Sequence, residues 1–315
     1  MRDTTTGTIL TDWKEDYARD FGDRKLHLSH SLDSSELFTD EALARLLERA
    51  GRENYHVKTT DEGPGAAHRE GELGDLSGAE ILAAVRRGRI WINIQHPEAV
   101  DPAYGEMMDD MYREFEARVP GLRTFKHMTT ILISSPGIKV RYHADVPGQM
   151  LWQVRGTKRV WVYPNKAPYL RQEALEKLVL KRFHETDMPY DPAFDDDATV
   201  CDLAPGKMLY WPLNCPHRVE NHDCMNVSVT SEHWTGEIRN AYAVNYANGL
   251  LREAGFSRLE RQEKGPVMIA KLAMAAAAKL SGATRKQRKP YRIDFRVDPE
   301  SPSGYRDIDA YEMSK

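Results

Sequence analysis

A histidine and an aspartate stand two positions apart in the stretch KVRYHADVPG, as His143 and Asp145. Side chains two positions apart on a β-strand point to the same face, so a strand here would offer an imidazole and a carboxylate together. Two ligands hold a redox metal poorly, and we expect a third from a distant strand. The best candidate is His217, in the segment LYWPLNCPHRVEN. Two histidines and one carboxylate form the facial triad of non-haem Fe(II) oxygenases, which leaves three coordination positions open.

A lysine follows in the alternating run KRVWVYP, as Lys158. Val160 and Val162 share its face of the predicted strand and are apolar, which favours an inward-pointing lysine. A 2-oxo-dicarboxylate bound to the metal would need a cation at its far carboxylate, because an unpaired buried carboxylate is costly. Lysine is a suitable point-charge partner. The alternative for this residue is a solvated lysine on an edge strand.

Short predicted strands from about residue 123 onwards would position these side chains. The runs are rich in β-branched and aromatic residues, and turn signals such as Pro147-Gly148 and Gly156 separate them. The runs are TTILIS, IKVRYHAD, QMLWQVRG, KRVWVYP, ATVCDL, KMLYWP and MNVSVT. Many short strands at this spacing predict an antiparallel barrel or sandwich. An acidic stretch, DPAFDDDA, is predicted to be a solvated loop rather than a site.

Helical patterns flank the predicted strands on both sides. Thr39, Ser77 and Asp101 each precede an apolar helical periodicity as an N-cap, and Ser77 with Glu80 predicts a capping box. We therefore predict a mainly β core with helical extensions, an α+β fold built on a double-stranded β-helix of the cupin or jelly-roll type. The expected division is a helical or mixed extension over 1–122, a barrel over 123–236 with an insertion near 166–198, and a helical extension and tail over 237–315.

The composition is that of an ordinary folded protein. Of the 315 residues, 41% are hydrophobic and 29% are charged, and the net charge is −4. The slight acidic excess is not typical of a nucleic-acid binder. The chain contains no apolar run long enough to cross a membrane and no apolar leader, and its three cysteines do not make a disulfide framework. These features predict a cytoplasmic protein with no nucleic-acid or membrane partner.

The segment HADVPGQMLWQVRGTKRVWVYP, together with the later PGKMLYWPLNCPH, resembles one known family. It is similar to the cupin-like branch of the Jumonji-C superfamily of Fe(II)/2-oxoglutarate oxygenases, which includes the asparaginyl hydroxylase that inhibits the hypoxia-inducible factor. The resemblance covers roughly residues 120–236. It implies His143, Asp145 and His217 as metal ligands, and Lys158 as the residue that binds the C5 carboxylate of 2-oxoglutarate. It implies Fe(II), 2-oxoglutarate and dioxygen as cofactor and cosubstrates, hydroxylation as the usual outcome, and no catalytic residue beyond the metal ligands.

The sequence departs from the family pattern in two places. Lys207 stands where the family usually has an aspartate, and Val140 where relatives often have a hydroxyl or aromatic residue. A second contact to the cosubstrate must therefore come from elsewhere. The polar candidates are Thr130, Asn226, Ser228 and Tyr142. Asn226 and Ser228 share one face of a predicted strand, which either lines the pocket or faces water.

The substrate and the partners are less well defined by the sequence. We expect the substrate to be a small metabolite or a protein side chain. Four residues are candidates to line the substrate pocket: Tyr142, Gln149, Trp152 and Trp211. Aromatic residues on strands are also common in plain packing. The helices after residue 237 could form a homodimer or pack on the barrel. The basic run RKQRK, at 285–289, could contact an acidic partner or be a solvated loop.

Two other functions use the same residues differently. Cys215, His217, His222 and Cys224 could in principle bind zinc tetrahedrally, although their spacing matches no standard zinc motif and leaves His143 unused. A metal-free or degenerate cupin could instead serve as a binding module. The presence of all three triad residues and of Lys158 argues against the degenerate form.

Overall fold

The computed structural model describes residues 8–60, 68–182, 188–261, 264–282 and 290–314. Its helices are α1 (Glu15–Asp20), α2 (Asp40–Arg49), α3 (Gly78–Arg87), α4 (Pro102–Arg118), α5 (Gln172–Val179), α6 (Gly236–Glu253) and α7 (Gly265–Leu280). Its strands are β1 (Leu26–Ser29), β2 (Tyr55–Thr60), β3 (His68–Glu72), β4 (Trp91–Gln95), β5 (Phe125–Ser134), β6 (Lys139–His143), β7 (Gly148–Arg155), β8 (Lys158–Val162), β9 (Thr199–Leu203), β10 (Lys207–Tyr210), β11 (His217–Asn221), β12 (Asn226–Trp234), β13 (Tyr291–Val297) and β14 (Tyr305–Met313).

The strands form two sheets. The larger has ten strands in the order β1-β10-β7-β12-β5-β4-β2-β3-β13-β14, and the smaller has four in the order β6-β11-β8-β9. The pairings are antiparallel, except for β3 with β13, which run parallel. This mixed α+β fold dominated by sheets confirms the predicted class and is consistent with a double-stranded β-helix. Strands from all three predicted segments join the larger sheet, and the division into domains stays a prediction.

The alternation of side chains gives the larger sheet two different faces. Trp152 on β7 and Ile133 on β5 are fully buried on one face, in the main apolar core under helices α2, α3 and α4. Leu151, the neighbour of Trp152, lies on the opposite face and packs with Val160 and Val162 of the smaller sheet. The second face, between the two sheets, is the interior in which the predicted site should lie.

Three helices begin where the sequence predicted caps. The Thr39 hydroxyl accepts the backbone N–H of Ala42 at the start of α2. Ser77 and Glu80 form the predicted capping box at α3. The Asp101 side chain accepts the N–H of Ala103 at the start of α4. The local helix signals of the N-terminal part are therefore confirmed.

The acidic stretch near 191–198 does not behave as a simple solvated loop. It forms a 3-10 helix over Pro192–Asp197. The Asp195 carboxylate accepts hydrogen bonds from the hydroxyls of Tyr163 (2.5 Å) and Tyr190 (2.9 Å) and pairs with Arg218 (2.5 Å). Most of the stretch is exposed, as predicted, but composition could not show that Tyr163 and Arg218 at the smaller sheet, together with Tyr190, supply three donors to one carboxylate.

Helices α5, α6 and α7 form a second layer on the outside. Glu176 of α5 is buried, and its carboxylate lies 2.5 Å from the Arg252 guanidinium of α6. Helix α7 packs on α6 but leaves Val267, Ile269 and Leu280 exposed. Within the described ranges, no helix is long and apolar enough to cross a membrane. The basic run 285–289 lies outside the described residues.

Candidate metal centre

Two strands of the smaller sheet bring the two histidines together. His143 ends β6 and His217 begins β11, and the two residues are direct partners in the antiparallel ladder. Their ring centroids are 4.1 Å apart. Asp145 lies just beyond β6, in the loop to Gly148, and its Oδ2 is 3.4 Å from Nε2 of His217. One potential ligand atom from each of the three residues lies within 4.8 Å of the others, a spacing that a single metal ion can bridge.

Hydrogen bonds to backbone carbonyls orient both imidazoles. Nδ1 of His143 is 2.7 Å from the carbonyl oxygen of Arg141, and Nδ1 of His217 is 3.2 Å from that of Cys215. Because a carbonyl oxygen only accepts, Nδ1 carries the proton in each ring and Nε2 keeps its lone pair. Burial, together with the neighbouring His143, lowers the pKa of His217 well below its usual value, so the ring is neutral. Neutral imidazoles with fixed tautomers are the form that binds metals.

The loop that carries Asp145 is fixed from two sides. The side-chain amide of Asn214 donates to the carbonyl oxygen of Asp145 at 2.7 Å, and this bond ties the loop to the one that precedes His217. At Gly148 a Cβ atom would lie 2.6 Å from Nε2 of His233 and 2.9 Å from a methyl of Ile238. The chain therefore needs a glycine here to pass so close to β12 and α6.

Two of the three triad residues and the predicted anchor line one cavity. A cavity of about 270 Å³ between the sheets is lined by His143, Asp145 and Lys158. Lys158 begins β8 and is only 4% exposed, so the prediction that it points inward with Val160 is confirmed. The turn before it depends on Gly156, whose φ of +72° suits glycine and where a Cβ would lie 2.3 Å from the carbonyl oxygen of Met225.

The ammonium group of Lys158 is electrostatically isolated. Burial lowers the pKa of Lys158 from 10.5 to about 7. Among the residues that the structure describes, no carboxylate forms an ion pair with it. A buried cation without a counter-charge is costly, and an incoming anion would remove that cost.

Two polar residues beside Lys158 were not predicted from the sequence. Asn221 is the ladder partner of Lys158 on β11, and its amide donates to the Ser134 hydroxyl and to the carbonyl oxygen of Ser135, both at 2.8 Å. Asn221 and Ser134 both line the cavity. A usable signal existed for Asn221, because it lies four residues after His217 and so on the same face of β11.

The other predicted polar residues lie on the same face of the larger sheet, but only two of the four line the cavity. Thr130 and Gln149 line the cavity. Ser228 and Asn226 are fully buried and bond to Gln153 at 2.7 Å each, so their contact with a cosubstrate stays a prediction.

The three aromatic candidates lie away from the open part of the cavity. The Tyr142 hydroxyl donates to the carbonyl oxygen of Tyr169, on the outer side of the smaller sheet. Trp152 lies in the main core, and its indole N–H donates to Ser231. Trp211 packs between the sheets with its ring centroid 4.5 Å from that of His217, where it supports the ligand rather than lining the cavity.

The alternative zinc ligands do not converge. In the part of the chain that the structure covers, the triad is the one group of three or more such side chains close enough to share a metal. Cys215 lies in the apolar core between the sheets, and His222 lies 3.6 Å from Asp202 at the surface. The geometry therefore favours the triad over the zinc set.

A comparison with protein families agrees with this architecture. The family model described as a cupin-like domain matches residues 35–235. The chain belongs to the cupin-like family. The match begins well before residue 120, where the resemblance in the sequence began, so helices α2, α3 and α4 lie within it. The narrower assignment to the asparaginyl-hydroxylase branch stays a prediction.

Comparisons with individual known proteins show a similarity in fold only. No curated protein matches the chain significantly. The X-ray structure of ycfD from Escherichia coli matches with a TM-score of 0.50 and 17% identity, over 92% of this chain and 75% of that one. A structure of the same protein, described as a ribosomal oxygenase in complex with cobalt and 2-oxoglutarate, matches with a TM-score of 0.46, 17% identity, and 92% and 74% coverage.

Proposed function

We propose that this protein is an Fe(II)- and 2-oxoglutarate-dependent oxygenase that hydroxylates its substrate. The observation that carries the proposal is a His-Asp-His group whose His143 and Asp145 line the same cavity as a buried cation, Lys158, that lacks a counter-charge. The first feature suits a metal of the facial-triad class, and the second suits the far carboxylate of a dicarboxylate ligand. Membership of the cupin-like family supports both assignments.

The chain's own residues have separate tasks in this proposal. His143, Asp145 and His217 would hold Fe(II) through one face, with both rings kept in the binding tautomer by their Nδ1–H bonds to carbonyls. Lys158 would bind the C5 carboxylate of 2-oxoglutarate, with Asn221 beside it. When bound, iron and 2-oxoglutarate supply the activation of dioxygen that oxidises a C–H bond. Apolar residues such as Leu151 and Val160 pack between the sheets beside the site.

The substrate remains a choice between a protein side chain and a small metabolite. The E. coli protein whose fold this chain shares is described as a ribosomal oxygenase, which makes a protein side chain the first class to test. The three cysteines are free thiols, which supports a cytoplasmic enzyme, and fractionation of cells from the native source would test that location.

The test is turnover of 2-oxoglutarate with iron. Protein loaded anaerobically with Fe(II) and 2-oxoglutarate should show a weak visible charge-transfer band. On admission of air it should release CO2 from the C1 position of 2-oxoglutarate, faster with a peptide pool or a metabolite pool that contains the substrate. His143→Ala should lose the band and the CO2 release.

His222→Ala is the matched control, because His222 is a half-exposed histidine that belongs only to the alternative zinc set. It should keep the band and the turnover. Stoichiometric zinc in the purified protein, lost in His222→Ala and retained in His143→Ala, would replace the oxygenase with the zinc protein. A protein that binds neither metal nor 2-oxoglutarate would be the binding module.

We also propose that α7 contributes to a homodimer. Its exposed apolar side chains include Val267 (47% exposed), Ile269 (63%) and Leu280 (89%), more than a solvated helix of this length needs. Sedimentation should give a dimer for the wild type and a monomer for Ile269→Glu. A wild-type monomer at every protein concentration would refute the dimer without touching the oxygenase proposal.

A further inference from the structure

A second cavity, larger than the one at the triad, lies on the other face of the larger sheet. It has a volume of about 610 Å³ and lies where the ends of β7, β10 and β12 meet the end of α4 and the start of α6. We call it the α6 cavity. Its volume falls in the range of cavities that hold small ligands, and the oxygenase proposal leaves it unused.

The α6 cavity lies next to the loops that carry the metal ligands. Gly148, three residues after Asp145, lines it, and so do Pro212 and Leu213 in the loop before His217. Gln149 and Glu232, the chain neighbours of Gly148 and His233, line the triad cavity instead. The two cavities therefore lie on opposite sides of the same strand ends, and neither borrows a metal ligand from the other.

One buried polar side chain in the α6 cavity points to a ligand. His233 lines the cavity and is only 2% exposed, and its Nδ1 has no hydrogen-bond partner among the described residues. Burial, reinforced by nearby His127, lowers the pKa of His233 to about 4. The ring is thus neutral at pH 7, with one nitrogen able to accept a hydrogen bond and one able to donate. A buried polar atom without a partner is costly, and a bound polar group would satisfy it.

The rest of the lining is suited to a flat ring. Phe21 and Tyr210 stack with centroids 4.3 Å apart at 15°, and both line the cavity with Pro120 and Pro212. Aromatic and proline faces of this kind pack well against another ring. Arg123 and Glu237, both exposed, bring charges of opposite sign to the lining, so the lining does not select a ligand by net charge alone.

We infer that the α6 cavity binds an aromatic group with a hydrogen-bonding tip, of the phenol or indole type, with the tip at His233. The group could belong to a free aromatic acid or to a side chain of a protein partner. The inference does not depend on the oxygenase activity, because no triad residue takes part.

The test is direct binding of two probes to the metal-free protein, measured by ligand-observed NMR and by calorimetry. The two probes are 4-hydroxyphenylacetate, as a free acid, and N-acetyltyrosine amide, as a model of a side chain within a chain. At least one should bind at millimolar concentration or below. Preference for the acid indicates a free metabolite, and preference for the amide indicates a protein segment. His143→Ala should bind the same probe as the wild type does.

Two variants locate the binding. Asn240→Trp places a large side chain into the cavity from α6 and should abolish binding, whereas Arg239→Trp, at the adjacent exposed position outside the lining, should change affinity less than twofold. His233→Phe should weaken binding roughly three- to tenfold, the worth of one hydrogen bond. Circular dichroism checks that each variant is folded, and the surface variant Asn240→Trp serves if His233→Phe does not fold. Failure of both probes to bind, or binding that Asn240→Trp and Arg239→Trp affect equally, would overturn the inference.

Discussion

Replacing Lys158 by methionine should make the metal-free protein more stable while removing its affinity for 2-oxoglutarate. The lysine is 4% exposed, and burial lowers its pKa from 10.5 to about 7. At about 1.36 kcal/mol for each pH unit, that difference corresponds to about 5 kcal/mol spent on keeping the ammonium group charged inside the fold. Methionine keeps a similar length and volume without the charge.

The sign of the pH dependence follows from proton binding. Between pH 7 and pH 10.5 the folded wild type binds fewer protons at Lys158 than the unfolded chain does, so this residue makes the free energy of unfolding rise with pH. Lys158→Met lacks this dependence. Urea unfolding should therefore show the variant more stable by up to about 5 kcal/mol at pH 6, with the difference shrinking towards zero near pH 10.

A matched control and a ligand experiment complete the test. Lys139→Met removes an exposed lysine, 69% accessible on β6, and its effect on stability should be small at every pH because water screens the charge. Calorimetry at pH 8 in two buffers of different ionisation enthalpy should show uptake of about one proton when 2-oxoglutarate binds the wild type. A Lys158→Met protein that is less stable than the wild type at pH 6, or a stability difference that does not change with pH, would refute the reasoning.

Three further predictions concern the metal ligands, the turn at Gly156 and the ion pair between Asp195 and Arg218. His217→Ala and His143→Ala should each lower bound Co(II) from about one equivalent to a small fraction, measured by elemental analysis after dialysis, because two ligands hold the ion poorly. Gly156→Ala should destabilise the fold by roughly 1–3 kcal/mol in urea unfolding, since its φ of +72° and the close carbonyl of Met225 both oppose a side chain; an unchanged midpoint would contradict this. Asp195→Ala should lower thermal stability by roughly 2–4 °C for about 1 kcal/mol, because it leaves the Arg218 cation without its carboxylate, and turnover should persist.

The sequence predicted the parts of the site that depend on strand periodicity and local signals. The inward direction of Lys158 follows from its alternation with Val160, and helix caps such as Ser77 are fixed by a few neighbouring residues. What the sequence did not reveal depends on contacts between distant segments. Asn221 matters because β11 lies against β8, and Asp195 because its helix folds back onto the outer face of the smaller sheet. Strand alternation places Asn221 on the face of His217, but no local pattern encodes which strand lies against β11 or where the 3-10 helix packs.

The register of the strands, more than any single side chain, specifies the site. On β7 Gln149 lines the triad cavity, while its neighbour Gly148 lines the α6 cavity. A slip of one residue would exchange these faces and would move Trp152 from the main core into the space between the sheets. The burial of large apolar residues such as Trp152 and Ile133 opposes that slip at roughly 25 cal/mol for each Å² kept from water. The apolar core on one face of the larger sheet therefore fixes the positions of the polar groups on its other face. Substitutions in that core should change the shape of the triad cavity even though the substituted residues do not line it.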